Sequence, residues 1–164
     1  MSRLLITSDL HLGHRNIHKY RTQFPTAEEH HEFIYEQLCI NVKKADTVYF
    51  LGDVAFDAYW LGKVGELRCK HKKLIVGNHD TEHHKMVDLC KVFDSVEGLM
   101  SKRNIWFTHC PIHPQEIRGK VGIIHGHLHQ KVVDDSRYFN ACVEHTEYKP
   151  ITFADIIKRT GWEV

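Results

Sequence analysis

The chain has 164 residues, of which 42% are hydrophobic and 26% are charged, and these values are typical of one globular domain and exclude a disordered or fibrous protein. The 22 basic and 21 acidic side chains leave a formal net charge of +1, which excludes a strong overall attraction to nucleic acid or to anionic membranes. No segment reaches the length of a signal-peptide core or a membrane span, so we expect a single domain over residues 1–164, a cytoplasmic location and no membrane partner.

In the first half of the chain, strand-like and helix-like segments alternate, which favours an α/β fold. Strands are predicted over residues 3–8, 47–51 and 73–76. The first helix begins at a capping box formed by Thr26 and Glu29, and its apolar residues continue at helical spacing to Ala45. Further helices are predicted over residues 57–68 and 81–89.

In the second half of the chain, the predicted strands are short and closely spaced. They cover residues 92–93, 98–100, 104–108, 121–124 and 138–143. A last helix is predicted after Thr152, which has capping-box spacing with Asp155. Because no internal repeat or linker interrupts these elements, the prediction remains a single domain.

Cysteine and histidine are the residue types whose numbers need an explanation. The five cysteines are an odd number without a C-x-x-C pair, which favours reduced thiols in the core over a disulfide framework or a zinc knuckle. Cys110 is likewise predicted to be a small packed thiol. The chain also contains 15 histidines, and imidazole is the commonest transition-metal ligand in proteins. Their positions decide whether they bind metal.

Five of the apolar runs end in the same kind of polar side chain. The residues at these ends are Asp9 and His11, Asp53, the run Asn78-His79-Asp80, His109, and the pair His127 and His129. Turn chemistry alone explains a Gly-Asn sequence, but it does not explain the carboxylates and imidazoles that recur at every end. In open α/β sheets, ligands bind in the crevice beyond the carboxyl ends of the strands, so we expect these groups to meet there.

Seven of these residues are candidate metal ligands, and they supply two carboxylates, one amide oxygen and four imidazoles. Seven ligands would crowd one ion, whereas two ions that share a bridging carboxylate would use them well. Mixed nitrogen and oxygen donors suit Mn, Fe, Zn, Co or Ni. Two divalent ions, two carboxylates and a bridging hydroxide leave a charge of roughly +1, which favours a phosphate ligand.

In order and chemistry, these motifs resemble the five motifs of the calcineurin-like metallophosphoesterase superfamily. The matching stretches are Asp9-x-His11, Gly52-Asp53, Gly77-Asn78-His79-Asp80, His109 and Gly126-His127-x-His129. The resemblance implies a two-sheet β-sandwich flanked by helices, with four layers in the order αββα and a dimetal centre at one edge. It also implies two divalent metal ions as cofactors, with Mn preferred and Fe, Zn, Ni or Co as alternatives.

The resemblance assigns roles to the residues of these motifs. One metal would be held by Asp9, His11, Asp53 and His129, and the other by Asp53, Asn78, His109 and His127, so that Asp53 is the bridging ligand. His79 would be a catalytic residue near the leaving-group oxygen, and Asp80 would orient its ring. The implied reaction is in-line attack on phosphorus by a hydroxide that both metals activate.

The loop after the first motif also has a counterpart in that superfamily. Its Gly-His-x-Asn pattern, which contains His14, Arg15 and Asn16, is similar to a compact bacterial and phage-type branch. These three residues are therefore predicted to bind substrate, with His14 on the phosphate. The alternative is that His14 is a loop residue whose hydrogen bonds go to the backbone.

Other histidines are assigned structural positions. His125 ends an apolar run and is predicted to be buried or hydrogen-bonded. The pairs His30-His31 and His83-His84 lie in predicted helices, where neighbouring side chains point in different directions. These four residues are therefore predicted to be solvated.

The function predicted from these motifs is hydrolysis of a phosphodiester, such as a cyclic nucleotide or another small organophosphate. Phosphomonoesterase activity remains open, and protein phosphatase activity is less favoured because Asp80 stands where those enzymes carry Glu. The chain has no room for the accessory domain that positions DNA in repair nucleases, so long duplex DNA is not expected to be a specific partner. Two competing classes are a non-catalytic scaffold of the same fold and a histidine-rich metal buffer. The sequence leaves the oligomeric state undetermined.

Overall fold

The computed structural model describes residues 2–164 and contains two mixed β-sheets flanked by helices. This arrangement confirms the predicted α/β fold with two packed sheets. The predicted strand ends matter most for function, and the topology of the two sheets determines where those ends meet.

The first sheet has five strands in the order β4-β3-β2-β1-β9. Its strands are β1 (Leu4–Thr7), β2 (Thr47–Phe50), β3 (His71–Ile75), β4 (Ser95–Glu97) and β9 (Ile151–Thr152). Strands β1 to β4 are parallel, and β9 pairs antiparallel with β1. The carboxyl ends of β1, β2 and β3 therefore lie side by side at one edge of this sheet.

The second sheet has four strands in the order β5-β6-β7-β8. They are β5 (Leu99–Lys102), β6 (Ile105–Thr108), β7 (Gly122–His125) and β8 (Tyr138–Asn140). Strand β5 is antiparallel to β6, whereas β6, β7 and β8 are parallel to one another. An isolated parallel bridge between Ser8 and Cys142 links the ends of β1 and β8 across the two sheets.

In the described part of the chain, five α-helices and three short 3-10 helices surround the sheets. The α-helices are α1 (Ala27–Asn41), α2 (Ala58–Gly65), α3 (Asn78–His83), α4 (Met86–Val92) and α5 (Phe153–Thr160), and the 3-10 helices are Ile17–Lys19, Pro114–Ile117 and Val143–His145. The predicted caps of α1 and α5 are confirmed, because the hydroxyls of Thr26 and Thr152 accept from the third residue of each helix at 3.1 and 3.0 Å. Over residues 2–164, no helix is both long and apolar enough to cross a membrane.

Alternating residues of the first sheet divide the core into two clusters. Leu5, Val48 and Phe50 pack against the helices on one face. Ile6 and Tyr49 point to the other face, where they meet apolar residues of the second sheet and of α5. Because side chains along a strand alternate between faces, the central strands β1 and β2 are buried on both sides, as their nearly continuous apolar sequences require.

Several predicted boundaries are wrong. The helix predicted over residues 81–89 is two helices, α3 and α4, separated at His84 and Lys85. The strand predicted at residues 92–93 is the end of α4, and the pairing strand begins later, at Ser95. The short apolar run that ends in Phe93 packs α4 on the core, and a run of that length does not distinguish a strand from a buried helical turn.

Burial also corrects the predictions for some histidines and cysteines. His30 and His31, predicted to be solvated, are 0% and 5% exposed, whereas the predicted burial of His125 is confirmed. Cys142 is the buried thiol, while Cys110 is exposed. Cys69 is half-buried and packs against the core, whereas Cys39 and Cys90 are exposed, so the prediction of packed core thiols is wrong for Cys39, Cys90 and Cys110.

Candidate metal centre

The predicted ligands lie at the carboxyl ends of five strands, which meet where the two sheets adjoin. Three strand ends come from the first sheet and two, those of β6 and β7, from the second. Glycines permit this approach. A Cβ at Gly77 would overlap the carboxylate of Asp53, and a Cβ at Gly126 would overlap Ser8 and the carboxylate of Asp9. The glycines of the motifs are therefore required by the packing around the carboxylates.

Asp9, His11 and His129 form the first cluster of donors. Asp9 Oδ1 lies 3.6 Å from His11 Nε2 and 3.8 Å from His129 Nε2. Within residues 2–164, Asp9 Oδ1 and His11 Nε2 are buried atoms without a hydrogen-bond partner. Buried polar atoms are rarely left unsatisfied, so these two atoms fit a group that the protein is built to receive.

Asn78, His109 and His127 form the second cluster. His109 Nε2 lies 3.1 Å from Asn78 Oδ1 and 3.2 Å from His127 Nδ1. His109 Nδ1–H donates to the carbonyl of Leu51 at 2.6 Å, which leaves Nε2 to face the cluster. Such a second hydrogen bond fixes the orientation and tautomer of a metal-binding imidazole.

Asp53 lies between the two clusters. Its Oδ2 is 3.8 Å from His11 Nε2 in the first cluster and 3.4 Å from His109 Nε2 in the second. Its Oδ1 accepts from the backbone N–H of His79 at 2.9 Å. The seven predicted ligands are thus brought together in two groups that adjoin at one carboxylate.

The carboxylate of Asp9 is held from the side away from the first cluster. Its Oδ2 accepts from the Ser8 hydroxyl at 2.6 Å and from the backbone N–H of His127 at 2.8 Å, and the Cys142 thiol donates to it at 3.1 Å. These donors leave Oδ1 directed toward the histidines. Ser8 and Cys142 are supporting residues that the sequence prediction did not include.

The buried carboxylates of Asp9 and Asp53 give the centre a negative potential that favours positive charge. Burial acts to raise the pKa of Asp9, but the nearby His11 imidazole and the charge of His109 hold that pKa well below the ordinary value. Burial likewise acts to lower the pKa of His109, but the carboxylates of Asp53 and Asp9 raise it to about 9. The His109 imidazole is therefore a proton-binding group beside these carboxylates, and a bound cation would neutralise the same negative charge. Nitrogen and oxygen donors without thiolate fit divalent transition metals.

A buried polar network lies behind the first cluster, and sequence reasoning missed it. The carboxylate of Glu144 accepts from His129 Nδ1 at 3.0 Å and pairs with the guanidinium of Arg21 at 2.9 Å. The side chain of Glu144 is only 7% exposed and that of Arg21 only 2%. Arg21 also donates to the carbonyl of Asp9 at 2.6 Å. Arg21 and Glu144 are 123 positions apart, so no local sequence pattern connects them.

Two histidines extend this network. Arg21 Nη1 donates to His30 Nε2 at 2.8 Å, and His30 Nδ1–H then faces His31 Nδ1 at 3.0 Å. The backbone N–H of Gly13 donates to the same nitrogen of His31 at 3.4 Å. Burial and the charge of Arg21 lower the pKa of His30 to about 2, so its ring is neutral and its tautomer is set by Arg21. His30 and His31 are thus joined in one buried hydrogen-bond network, whereas the sequence predicted that both would be solvated.

The predicted role of Asp80 is wrong. Its carboxylate accepts from the backbone N–H groups of Asp53, Val54 and Gly77 at 2.9, 2.9 and 2.8 Å. Asp80 therefore ties the loop after β2 to the start of α3. The partner of the His79 ring is instead Glu82, whose Oε2 lies 2.6 Å from His79 Nδ1.

A cavity of about 730 Å³ opens over the first cluster. His11, His79 and His129 line it, together with His14 and Tyr20. Its size is within the range of about 300–1,000 Å³ that is usual for small-molecule sites. The centre is thus accessible from one side.

The loop residues predicted to bind substrate are only partly brought to this cavity. His14 lines it, although its Nδ1 accepts from the backbone N–H of Asn16 at 3.2 Å. Arg15 and Asn16 are exposed and are not among the residues that line the cavity. The loop leads into the 3-10 helix Ile17–Lys19, which buries Ile17 and leaves these two side chains exposed.

Comparison with known proteins finds relatives in phages and prokaryotes. The chain is 30% identical to the Gene 66 protein of Mycobacterium phage L5 over 81% of this chain and 80% of that protein. It is 29% identical to an uncharacterized protein of Methanocaldococcus jannaschii over 96% of this chain and 91% of that protein.

Two solved structures share the fold. A protein of unknown function from Aquifex aeolicus aligns with a TM-score of 0.75 and 25% identity, covering 97% of this chain and 100% of its own. The nuclease MPE of Pseudomonas putida aligns with a TM-score of 0.50 and 21% identity, covering 77% of this chain and 61% of its own, and shows the fold alone. The profile of the calcineurin-like phosphoesterase family matches residues 2–161. With its motifs gathered at one centre, the chain belongs to the calcineurin-like phosphoesterase family.

Proposed function

We propose that this protein hydrolyses phosphodiesters in small substrates, such as cyclic nucleotides or other small organophosphates, with two divalent metal ions. The observation that carries the proposal is the position of Asp53. One carboxylate oxygen of this residue lies 3.4 Å from an imidazole of one cluster and 3.8 Å from an imidazole of the other. A shared carboxylate at this position supports a binuclear centre over a single ion.

Each cluster has the donors that one ion needs. Asp9, His11 and His129 would hold one ion and Asn78, His109 and His127 the other, with Asp53 shared. The donor set supports Mn, with Fe, Zn, Ni or Co as alternatives. When bound, two such ions supply Lewis-acid stabilisation of charge on phosphate and a water of lowered pKa.

The proposed role of His79 is to give a proton to the oxygen of the leaving group. Its ring lines the cavity, and its centroid is 5.7 Å from that of His11. Since Glu82 accepts the Nδ1–H, Nε2 is the nitrogen left to exchange a proton with substrate. The ring also packs on Phe56 at 4.9 Å between centroids, and this contact limits its rotation.

The cavity supports a small substrate over long duplex DNA. Its volume of about 730 Å³ accommodates a nucleotide-sized molecule, whereas an extended duplex needs a broad basic surface that a net charge of +1 does not supply. We propose that His14, which lines the cavity beside Tyr20, contacts the substrate phosphate.

The proposal is tested with bis-p-nitrophenyl phosphate as a diester and p-nitrophenyl phosphate as a monoester. We expect Mn²⁺ to support diester hydrolysis, chelation to abolish it, and added metal to restore it. A preference for the monoester would replace the diesterase assignment with phosphomonoesterase. Absence of turnover with every divalent ion tried, despite binding of two equivalents, would support the scaffold alternative.

A further inference from the structure

A second group of metal-ligating side chains lies on α3, outside the two clusters. His79, Glu82 and His83 each place one donor atom within 4.8 Å of the donors of the other two. The histidines are four residues apart and the glutamate is three residues after the first, so all three share one face of a helical turn. No role in binding the two proposed ions is assigned to Glu82 or His83.

The surroundings hold this group together at the mouth of the cavity. The ring of Phe56 packs on both imidazoles, with centroids 4.9 Å from His79 and 4.3 Å from His83. His79 lines the cavity, whereas His83 is exposed to solvent. A hydrated cation can therefore reach these donors without passing through the metal centre.

We propose that His79, Glu82 and His83 form a third cation site, selective for Zn²⁺ and similar ions, whose occupation inhibits the enzyme. Two imidazoles and one carboxylate, with a position open to water, are a usual ligand set for zinc. Hard ions such as Mg²⁺ prefer sites composed of oxygen donors, so they should bind there poorly.

Inhibition follows from the ligand that the site would share with catalysis, and this part of the inference rests on the proposed function. The His79 ring at present has Glu82 as the partner of Nδ1 at 2.6 Å. A cation on this nitrogen would displace the Nδ1 proton to solvent, break that hydrogen bond and fix the ring in a new position, and the bound neutral imidazole would have to become an imidazolate to give up its Nε2 proton. His79 would then no longer deliver a proton from Nε2 to the leaving group.

The experiment measures zinc binding by equilibrium dialysis and, separately, zinc inhibition of the Mn²⁺-loaded enzyme. We expect the wild-type protein to bind three equivalents of zinc and His83→Ala to bind two. The zinc concentration for half-inhibition should rise by about tenfold or more in His83→Ala, because a direct ligand is lost. The activity of this variant without zinc should equal that of the wild type, since His83 has no part in the proposed reaction.

A matched control is His71→Ala, which also removes one exposed imidazole but lies at the amino end of β3, away from the strand ends that form the centre. It should retain the third equivalent and the wild-type inhibition. Glu82→Gln keeps both imidazoles and should weaken binding of the third ion. Three equivalents in both His83→Ala and Glu82→Gln, or equal inhibition in His83→Ala and wild type, would overturn the inference. If the wild-type protein bound the third equivalent of zinc but hydrolysed no phosphoester with Mn²⁺, that result would instead refute the proposed function and leave the third cation site in place.

Discussion

At the scale of single residues, the centre concentrates unusual backbone conformations. Among residues 2–164, ten non-glycine residues have positive φ, and half of these are predicted ligands, namely Asp9, His11, Asp53, His127 and His129. Asp and His are among the residues that tolerate this left-handed region best, yet each such residue costs about 1–2 kcal/mol. We infer that these strained conformations are retained in the loops after the strands because they direct successive side chains into one centre.

His79 is the residue whose proposed role is most directly testable. His79→Ala should keep both metals, because the ring is not a ligand of the two clusters, and should slow turnover by about 10²–10⁴-fold on substrates with poor leaving groups. Nitrophenyl esters need little protonation of the leaving group, so their hydrolysis should fall much less. The measurements are kcat on an alkyl and a nitrophenyl diester, with metal content by elemental analysis. An equal loss on both substrates would contradict the role of His79 as a proton donor.

At the scale of elements, the sequence was most informative where a motif follows its own strand. The ligands lie within a few residues of β1, β2, β3, β6 and β7, and an apolar run followed by a polar group is visible locally. Arg21 and Glu144 were missed because their significance arises only when two loops, far apart in sequence, are packed together. Asp80 was misassigned for a related reason, since its partners are backbone groups of another loop.

The short 3-10 helix Val143–His145 carries a prediction about metal affinity. Its Glu144 holds His129 Nδ1 at 3.0 Å and is the anionic partner of the buried Arg21. Glu144→Gln keeps the shape of the side chain but removes its charge, so it should lower the affinity of the ion held by His129 by about 10–100-fold. The second cluster has no contact with Glu144, and its ion should bind as before.

Competition with a chelator, followed by elemental analysis, would separate the two ions in this variant. Thermal unfolding of the metal-free proteins serves as the control, because a merely structural defect would lower the Tm of Glu144→Gln without ions. If both ions were weakened equally, Glu144 would not be a specific support for His129.

The starts of β1 and β2 are joined by a carboxylate that makes stability depend on pH. Asp46, 1% exposed, accepts from the Arg3 guanidinium at 2.6 Å and from the backbone N–H of Lys43 at 2.8 Å. Burial acts to raise the pKa of Asp46, but these hydrogen bonds hold that pKa below its ordinary value of 3.8. Its stabilisation is therefore fully present above the unfolded pKa and is lost as the pH falls through the folded pKa.

Asp46→Asn should reduce the free energy of unfolding by about 1–3 kcal/mol at pH 7, because hydrogen bonds to a charged acceptor are lost. The difference between wild type and variant should shrink as the pH is lowered below about 4. Urea unfolding of both proteins at several pH values measures this difference. A difference that stayed constant down to pH 2 would show that the charge of Asp46 contributes nothing.

At the scale of the whole molecule, the centre is where two sheets with separate strand orders are joined. Alternation of strands and helices predicted an α/β fold, whereas the arrangement in two packed sheets was implied only by the resemblance to a known family. The sequence could not predict how the two sheets pack on each other. Their packing depends on side chains such as Tyr49 and Phe107, whose ring centroids lie 5.4 Å apart in the shared core. The resemblance to a known family supplied that relation, and the structure confirms the two-sheet fold.

Because ligands come from both sheets, bound ions should stabilise the molecule as a whole. A ligand that binds only the folded state raises the free energy of unfolding by about 2.7 kcal/mol when its free concentration is 100 times its Kd. Removal of the ions by chelation should therefore lower Tm by about 5–10 °C in a chain of this size. Asp53→Ala, which lacks the carboxylate between the clusters, should have a Tm that chelation hardly changes. The measurement is thermal unfolding with and without chelator, on protein whose metal content is known. An unchanged Tm in wild-type protein that had demonstrably lost two ions would mean that the two sheets are held together by their apolar core alone.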